Sequence, residues 1–574
     1  MQVFIKLYNT GRLRNYLAYF LFCIGFSSAL IVANGTYYGW IDDAMMANLF
    51  RGILIPQPVY HPHEFTGFAP LLIYLYKTFP AVAWYGWFIY ALLFFAYSLL
   101  ANVFYTLTER QVRGSILKLA LVAITFSLLM QEFIQRNNFT VLGCLLTGAG
   151  VLFYSTQKQT VLNIFLSAIA VLSGLLIRFE ISFIILVFSI GSSLTLAVIF
   201  GNTTKRNGLL ALMAVCVALH FGIRYLNYNK DAIDFNGLSV YEQLIQDAYI
   251  YPEKVSEIES LKLEAVRGFN QFDTRVIDEN YFKGLYGDYS LSWSAIRHLV
   301  INKLQRVYEF GNRYQQGSLC LNWWARDVFL FCIAVFYAVV ALLSGYSRKT
   351  VIAIWLIITG AAIIILAVAI LAKIEDRLLG PLLVLLNLFV LAAIHYNAKS
   401  RALPLFIVLA PLLLLGAYRF EQCAAAHTIL AADIEAKRAF IEELNRHEGK
   451  IILFDMYTAY LLHLGPFENI YLSKKNEYNA GFHYIVRHFY STQNYFGQLC
   501  GTNKTDEIIR CLYSKKDNVL FAYYTYNIDF LARWSQGIYN QPVQFVPTEK
   551  GSHLGRTSNV YIWGKMQHNY FIFK

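Results

Sequence analysis

Apolar residues fill this chain in long uninterrupted runs, and the polar positions gather in the gaps between them. The first run extends from about Tyr16 to Ala33, behind Lys6, Arg12 and Arg14. Others begin near Ala83, Ser115, Phe139, Val161, Ile181, Leu209, Val328, Val351, Gly380 and Ala402. Each has the ~17–25 residues that an α-helix needs to cross a bilayer's hydrocarbon core. The pattern predicts a polytopic α-helical membrane protein of about eleven spans within residues 1–418. After the first run, Asn34-Gly35-Thr36-Tyr37-Tyr38 offers no small-x-small cleavage site, so that run reads as a retained span.

The loop charges set an expected orientation. With the basic N-terminus in the cytoplasm and the sides alternating, the inner loops carry Arg110, Arg113 and Lys118; Lys158; Lys205 and Arg206; Arg348 and Lys349; Lys399 and Arg401. Glu109 is the one acid among them, as the positive-inside rule requires. Residues of about 34–80, of about 225–326 and from 419 to 574 then face outward. The last of these predicts an extracytoplasmic α/β domain. Ala424–Asn445 has helical spacing, and Lys450–Phe454, Asn518–Tyr524 and Asn559–Trp563 read as strands. The setting that results is a bacterial-type inner membrane.

Composition agrees. The chain is 57% hydrophobic and only 15% charged, with a mean hydropathy of +0.44. Soluble proteins carry about 25% charged residues. The net charge of +12 is scattered over short inter-span loops, so no nucleic-acid partner is expected. Of the eight cysteines, Cys23, Cys144, Cys216 and Cys332 fall in apolar runs and read as small core residues. Cys500 and Cys511 are candidates for a disulfide, with Cys320 and Cys423 as competing partners.

The stretch with the most chemical content is Gly39-Trp40-Ile41-Asp42-Asp43-Ala44-Met45-Met46-Ala47-Asn48-Leu49-Phe50-Arg51-Gly52. Two carboxylates sit just past the first span, at the start of a helix expected to lie on the membrane surface through Met45, Met46, Leu49, Phe50 and Ile53. Gly52 and Pro56 would end that helix, and Pro70–Tyr76 suits a second surface helix. Asp42 and Asp43 admit two readings: a cap and dipole partner for their own helix, or a general base held at the membrane face. His61-Pro62-His63-Glu64 shares the loop. It reads first as a substrate-contacting segment, although His61, His63 and Glu64 with either aspartate would also offer ligands to a divalent metal. Arg377, Arg178 and the weaker Arg136 lie in short outer turns and are candidates to bind phosphate, with Glu180 and Asp376 beside them as substrate contacts. Arg51 reads as a lipid anchor, and His220, within an apolar run, as a packed core histidine. Trp40, Trp84 and Trp87 are placed where they could stack on sugar.

The acidic pair after the first span, the helix that follows and Phe68-Ala69-Pro70-Leu71 before the second span resemble the GT-C class of membrane glycosyltransferases. That class includes protein O-mannosyltransferases and the aminoarabinose transferase of lipid A. The likeness covers about the first hundred residues as motif. Beyond them it is one of architecture. It implies a GT-C-like fold, Asp42 or Asp43 as catalytic acid residue and a polyprenyl-phosphate sugar as donor. It also implies a lipid, glycan or protein hydroxyl as acceptor and no required cofactor. Where those enzymes often have Lys-Pro-Pro-Leu, this chain has Phe68-Ala69-Pro70-Leu71, which removes the lysine expected on the donor phosphate. Two other functions fit the same architecture. One is a lipid-linked glycan polymerase or ligase using Arg267, Arg275 and Arg297; the other is a transporter or flippase, which would want ionisable residues at mid-membrane and paired repeats.

Overall fold

The structure is a computed structural model. It describes residues 11–38, 41–53, 65–112, 115–226, 320–371, 376–397, 404–454, 460–480, 499–501, 511, 514–515, 518–524 and 570–573. The helices in chain order are α1 (Gly11–Asn34), α2 (Ile41–Arg51), α3 (Ala69–Thr78), α4 (Trp84–Val112), α5 (Ile116–Gln135), α6 (Phe139–Thr156) and α7 (Val161–Ile177). They continue as α8 (Phe179–Ile199), α9 (Thr203–Leu226), α10 (Cys320–Leu343), α11 (Arg348–Leu371), α12 (Asp376–Asn397) and α13 (Leu405–Arg446). Ten of them are long and apolar enough to cross a membrane, and α7 is a shorter apolar helix among them. The protein is thus a multi-pass integral membrane protein by length and composition.

α6 is the hub. Its window is 94% buried, against 17% for α1 and 22% for α9, so it sits at the middle of the bundle while those helices turn apolar side chains outward. Small residues permit this packing. A Cβ at Gly174 of α7 would lie 2.6 Å from the Gly143 carbonyl oxygen of α6, and one at Gly148 would meet Leu385 of α12 at 2.1 Å. In a bilayer, where lipid is as apolar as leucine, such close backbone approach is a main source of helix association.

The two ends of the bundle differ. At one end, Lys205 donates to the Ser155 and Gln157 carbonyls at 2.8 and 3.1 Å, and Gln157 donates to Thr106 at 2.9 Å. Lys205 also reaches the Tyr396 hydroxyl at 3.4 Å, so the ends of α4, α6 and α12 and the start of α9 meet there. At the other end, Gln135 donates to the Asn34 and Cys423 carbonyls at 2.7 and 2.8 Å. The C-terminal ends of α4, α6 and α12 thus gather at one end of the bundle, and those of α1 and α5 at the other. We call these the basic end and the Asp43 end.

Three expectations change. α13 runs unbroken for 42 residues, so the boundary placed at 418/419 falls within a helix rather than between two. α2 does not lie on lipid: Met46, Leu49 and Phe50 are buried in the protein core. Cys332 is exposed, whereas Cys23, Cys144 and Cys216 are buried. α3 does behave as a surface helix, burying Leu72, Ile73 and Tyr76 while exposing Leu71 and Tyr74.

After α13 comes a four-stranded sheet of β3 (Ile451–Phe454), β4 (Glu477–Ala480), β5 (Val519–Tyr524) and β6 (Tyr570–Phe573), ordered β4-β3-β5-β6. β3 pairs parallel with both neighbours and β6 closes antiparallel on β5. Strands at the first two expected sites appear; Asn559–Trp563 lies outside the described residues. Cys500 and Cys511 form a disulfide, and Cys423 is free and buried.

Candidate functional site

The Asp43 end is built around the start of α6. Asn138 caps that helix, its side-chain oxygen accepting from Thr140 N–H at 2.9 Å and Val141 N–H at 3.4 Å. Its amide nitrogen donates to Asp43 Oδ2 at 2.6 Å, and the Phe139 N–H donates to Asp43 Oδ1 at 3.1 Å. The Tyr85 hydroxyl of α4 donates to the same Oδ1 at 2.9 Å. Asp43 is 0% exposed. The carboxylate thus rests on the amino end of another helix, where the free N–H groups and the dipole favour an anion. Asp43 therefore caps the start of α6, a helix other than the one that carries it.

Two further contacts seat the first loop on the same spot. Tyr37 and Tyr38 form a two-residue parallel pairing with Arg136 and Asn137, which brings Arg136 alongside the approach to the acid pair. Phe65 donates its N–H to the Ile177 carbonyl at 2.9 Å, and its ring packs on Phe50, Tyr85 and Phe139. Phe65 has φ of 53°, a left-handed conformation unusual for so bulky a residue, held by this aromatic cage. Arg178, the single residue between α7 and α8, places its guanidinium 5.9 Å from the centre of the Phe139 ring and its Nε 3.9 Å from Glu180. Asp43, Arg136 and Arg178 therefore gather at one helix end, although the sequence separates them widely.

Other predicted residues fall elsewhere. Arg377 stands in the first turn of α12, half-buried, one turn before Gly380, where an added Cβ would come within 3.0 Å of the Arg326 guanidinium. Arg51 does not face lipid; it donates to Asn469 and to the Ile470 carbonyl, clamping α2 to the segment after α13. Trp87 packs tilted against Phe467, with ring centres 4.7 Å apart, and stays 55% exposed. The side chains of Asp42 and Asp376, and residues His61, His63 and Glu64, lie outside the described residues. Among the described residues no group of three His, Cys, Asp or Glu side chains is placed to hold a metal ion.

The sequence reading missed a buried charge cluster nearby. Arg326 Nη1 donates to Glu132 Oε2 at 2.9 Å and its Nε to Asp327 at 2.5 Å, while Arg419 of α13 pairs with the same Glu132 oxygen. All four residues are buried. The available signal was an ionisable residue inside an apolar run, at Glu132 and again at Arg419.

Compared with known protein families, curated proteins and solved structures, the chain matches none. The functional reading rests on its residues alone.

The segment after α13 covers this end. A Cβ at Gly86 of α4 would strike the Pro466 carbonyl oxygen at 1.6 Å, so only glycine lets that segment approach. His463 is buried edge-on to Tyr38, with ring centres 4.2 Å apart. Burial, with Lys437 and Arg51 adding to it, pushes its imidazole down to about 3 from the ordinary 6.5. A base whose folded value is depressed takes up protons more readily when unfolded, so stability is full above 6.5 and falls as pH drops towards 3. His463→Gln is expected to flatten the loss of melting temperature between those pH values, read by thermal unfolding in detergent. An unchanged acid slope would mean that other groups carry it.

Proposed function

We propose that this protein is a membrane-embedded glycosyltransferase that moves a sugar from a polyprenyl-phosphate donor to an acceptor hydroxyl. The observation that carries the reading is the meeting of Asp43 with Arg178 and Arg136 at the buried start of α6. Both Asp43 oxygens already accept hydrogen bonds, from Tyr85 and from the start of α6, so its lone pairs are engaged in holding the first loop in place. The base is therefore Asp42, and Asp43 is the positioning residue that fixes the helix carrying it.

The acceptor oxygen attacks the anomeric carbon and its proton passes to the Asp42 carboxylate. The bond from that carbon to the donor phosphate breaks, and the electron pair leaves with the lipid phosphate. Attack opposite the leaving group inverts the anomeric configuration. Arg178 and Arg136 stabilise the departing phosphate. Fixed cations in a water-poor site do this without having to reorganise. The scheme requires no metal. The Asp43 end is the extracytoplasmic face of a bacterial-type inner membrane, with the basic end in the cytoplasm. A disulfide in the segment beyond α13 accords with an oxidising compartment.

The test is direct. Purified protein is incubated in detergent with radiolabelled polyprenyl-phosphate sugars and candidate lipid, glycan or protein acceptors. Transfer by the wild type, at least a hundredfold faster than by Asp42→Asn, is the expected result. Equal transfer by the two removes the base. Because detergent abolishes any gradient, transfer there also argues against transport.

A further inference from the structure

The outer turn between α7 and α8 opens towards lipid, and the residues around it suit a phosphate. α8 begins at Phe179, and Arg178 before it supplies no side-chain cap to the first turn. An uncapped helix start draws anions, yet alone it identifies no ligand. The independent observation is His220 of α9. It is 1% exposed and lies face-to-face on Phe179, with ring centres 4.4 Å apart and planes 13° apart. Neither of its ring nitrogens meets a hydrogen-bond partner among the described residues. A buried polar ring left this way is costly, and a ligand bound there is one of the few accounts of such a group. His220 is packed in the core, as its place in an apolar run implied, but both ring nitrogens are left unmatched among the described residues.

The surroundings fix the kind of ligand. Phe183, Leu219 and Phe221, on α8 and α9 next to the turn, are exposed in helices that read as membrane spans. The turn is therefore approached sideways, through lipid. Arg178 is partly exposed there, held only 3.9 Å from a half-exposed Glu180. Its guanidinium faces the Phe139 ring, whose own N–H binds Asp43. Gly67 of the first loop, with φ of 81°, packs on Ile223 of α9 and closes the corner from above.

We infer that this corner, between Arg178, the start of α8 and His220, is a lateral docking site for a lipid-borne phosphate. The phosphate takes the guanidinium and the first-turn N–H groups, and the neutral imidazole donates one hydrogen bond to a phosphate oxygen. The inference builds on the proposed function by saying where its lipid donor docks. Its test reads binding rather than transfer, so a protein that binds the lipid but moves no sugar would leave this inference standing while the transfer reading fell.

Protein in neutral phosphatidylcholine nanodiscs is titrated with a fluorescent short-chain polyprenyl monophosphate, and separately with phosphatidic acid and inorganic phosphate. His220→Phe keeps the stack on Phe179 and removes the polar atoms. It is expected to weaken binding of at least one phosphate lipid about tenfold or more, while His395→Phe, at the basic end, leaves it unchanged. Melting temperature is measured on both, because a histidine that merely fills space gives a variant as stable or more so with unaltered lipid binding. That outcome overturns the proposal. So does inorganic phosphate binding as tightly as the lipids, since the site would then not be a lateral one.

Discussion

Asp43→Asn is expected to cost about 2–4 kcal/mol of stability, because hydrogen bonds to a buried charge are each worth about 1.5–3 kcal/mol and their loss leaves donors unsatisfied. Three donors converge on this carboxylate: the Tyr85 hydroxyl, the Asn138 amide and the Phe139 N–H. Asparagine keeps the shape but replaces an acceptor with an NH2 group, which must then face one of these donors. It also withdraws the charge that the start of α6 favours. The loss would be a large part of the ~5–15 kcal/mol that separates most folded proteins from their unfolded chains. In detergent the melting temperature should fall by several degrees, and protease should cut the first loop sooner. Asp42→Asn should melt like the wild type while losing transfer. If Asp43→Asn instead keeps its melting temperature and only Asp42→Asn loses it, the assigned roles of the two acids are reversed. Tyr85→Phe removes one of these donors to the charge and should cost about 1.5–3 kcal/mol.

The contrast between these neighbours shows what the sequence could and could not convey. Hydropathy located every spanning helix among the described residues, because a run of apolar residues has the same meaning wherever its neighbours lie. The loop charges gave an expected alternation of sides, while the packing itself shows Lys205 and Gln157 meeting at one end of the bundle and Gln135 at the other. Partners were not legible. That Asp43 caps α6 depends on a contact spanning 96 positions. The apolar stripe of α2 was read as lipid-facing because amphipathicity says that a face is covered, not by what. Met46 and Phe50 are covered by protein. Arg51 was given to lipid for the same reason, though its partners Asn469 and Ile470 lie over 400 positions along the chain. His220 passed as core because burial is readable from an apolar run, whereas hydrogen-bond satisfaction is not.

The buried cluster at Glu132 extends that lesson to energetics. Glu132 of α5 is shared by Arg326 of α10, 194 positions away, and Arg419 of α13, so one carboxylate joins three helices. Bringing these charges out of water is expensive, and their mutual attraction offsets the cost only while the set is complete. Glu132→Ala is therefore expected to lose about 3–5 kcal/mol, the range for breaking a buried pair from one side, since two guanidinium groups would then face each other across a dry gap. Arg419→Met alone should cost less, because Arg326 retains both Glu132 and Asp327. The decisive measurement is the double variant. With Glu132 absent, Arg419 is only a liability, so adding Arg419→Met to Glu132→Ala should restore stability rather than reduce it further. The coupling expected for residues in direct contact is about 0.5–3 kcal/mol. Strict additivity in thermal or denaturant unfolding would show that the three helices are held by packing alone. A positive coupling would make Glu132 the electrostatic joint through which α5, α10 and α13 set the position of the Asp43 end.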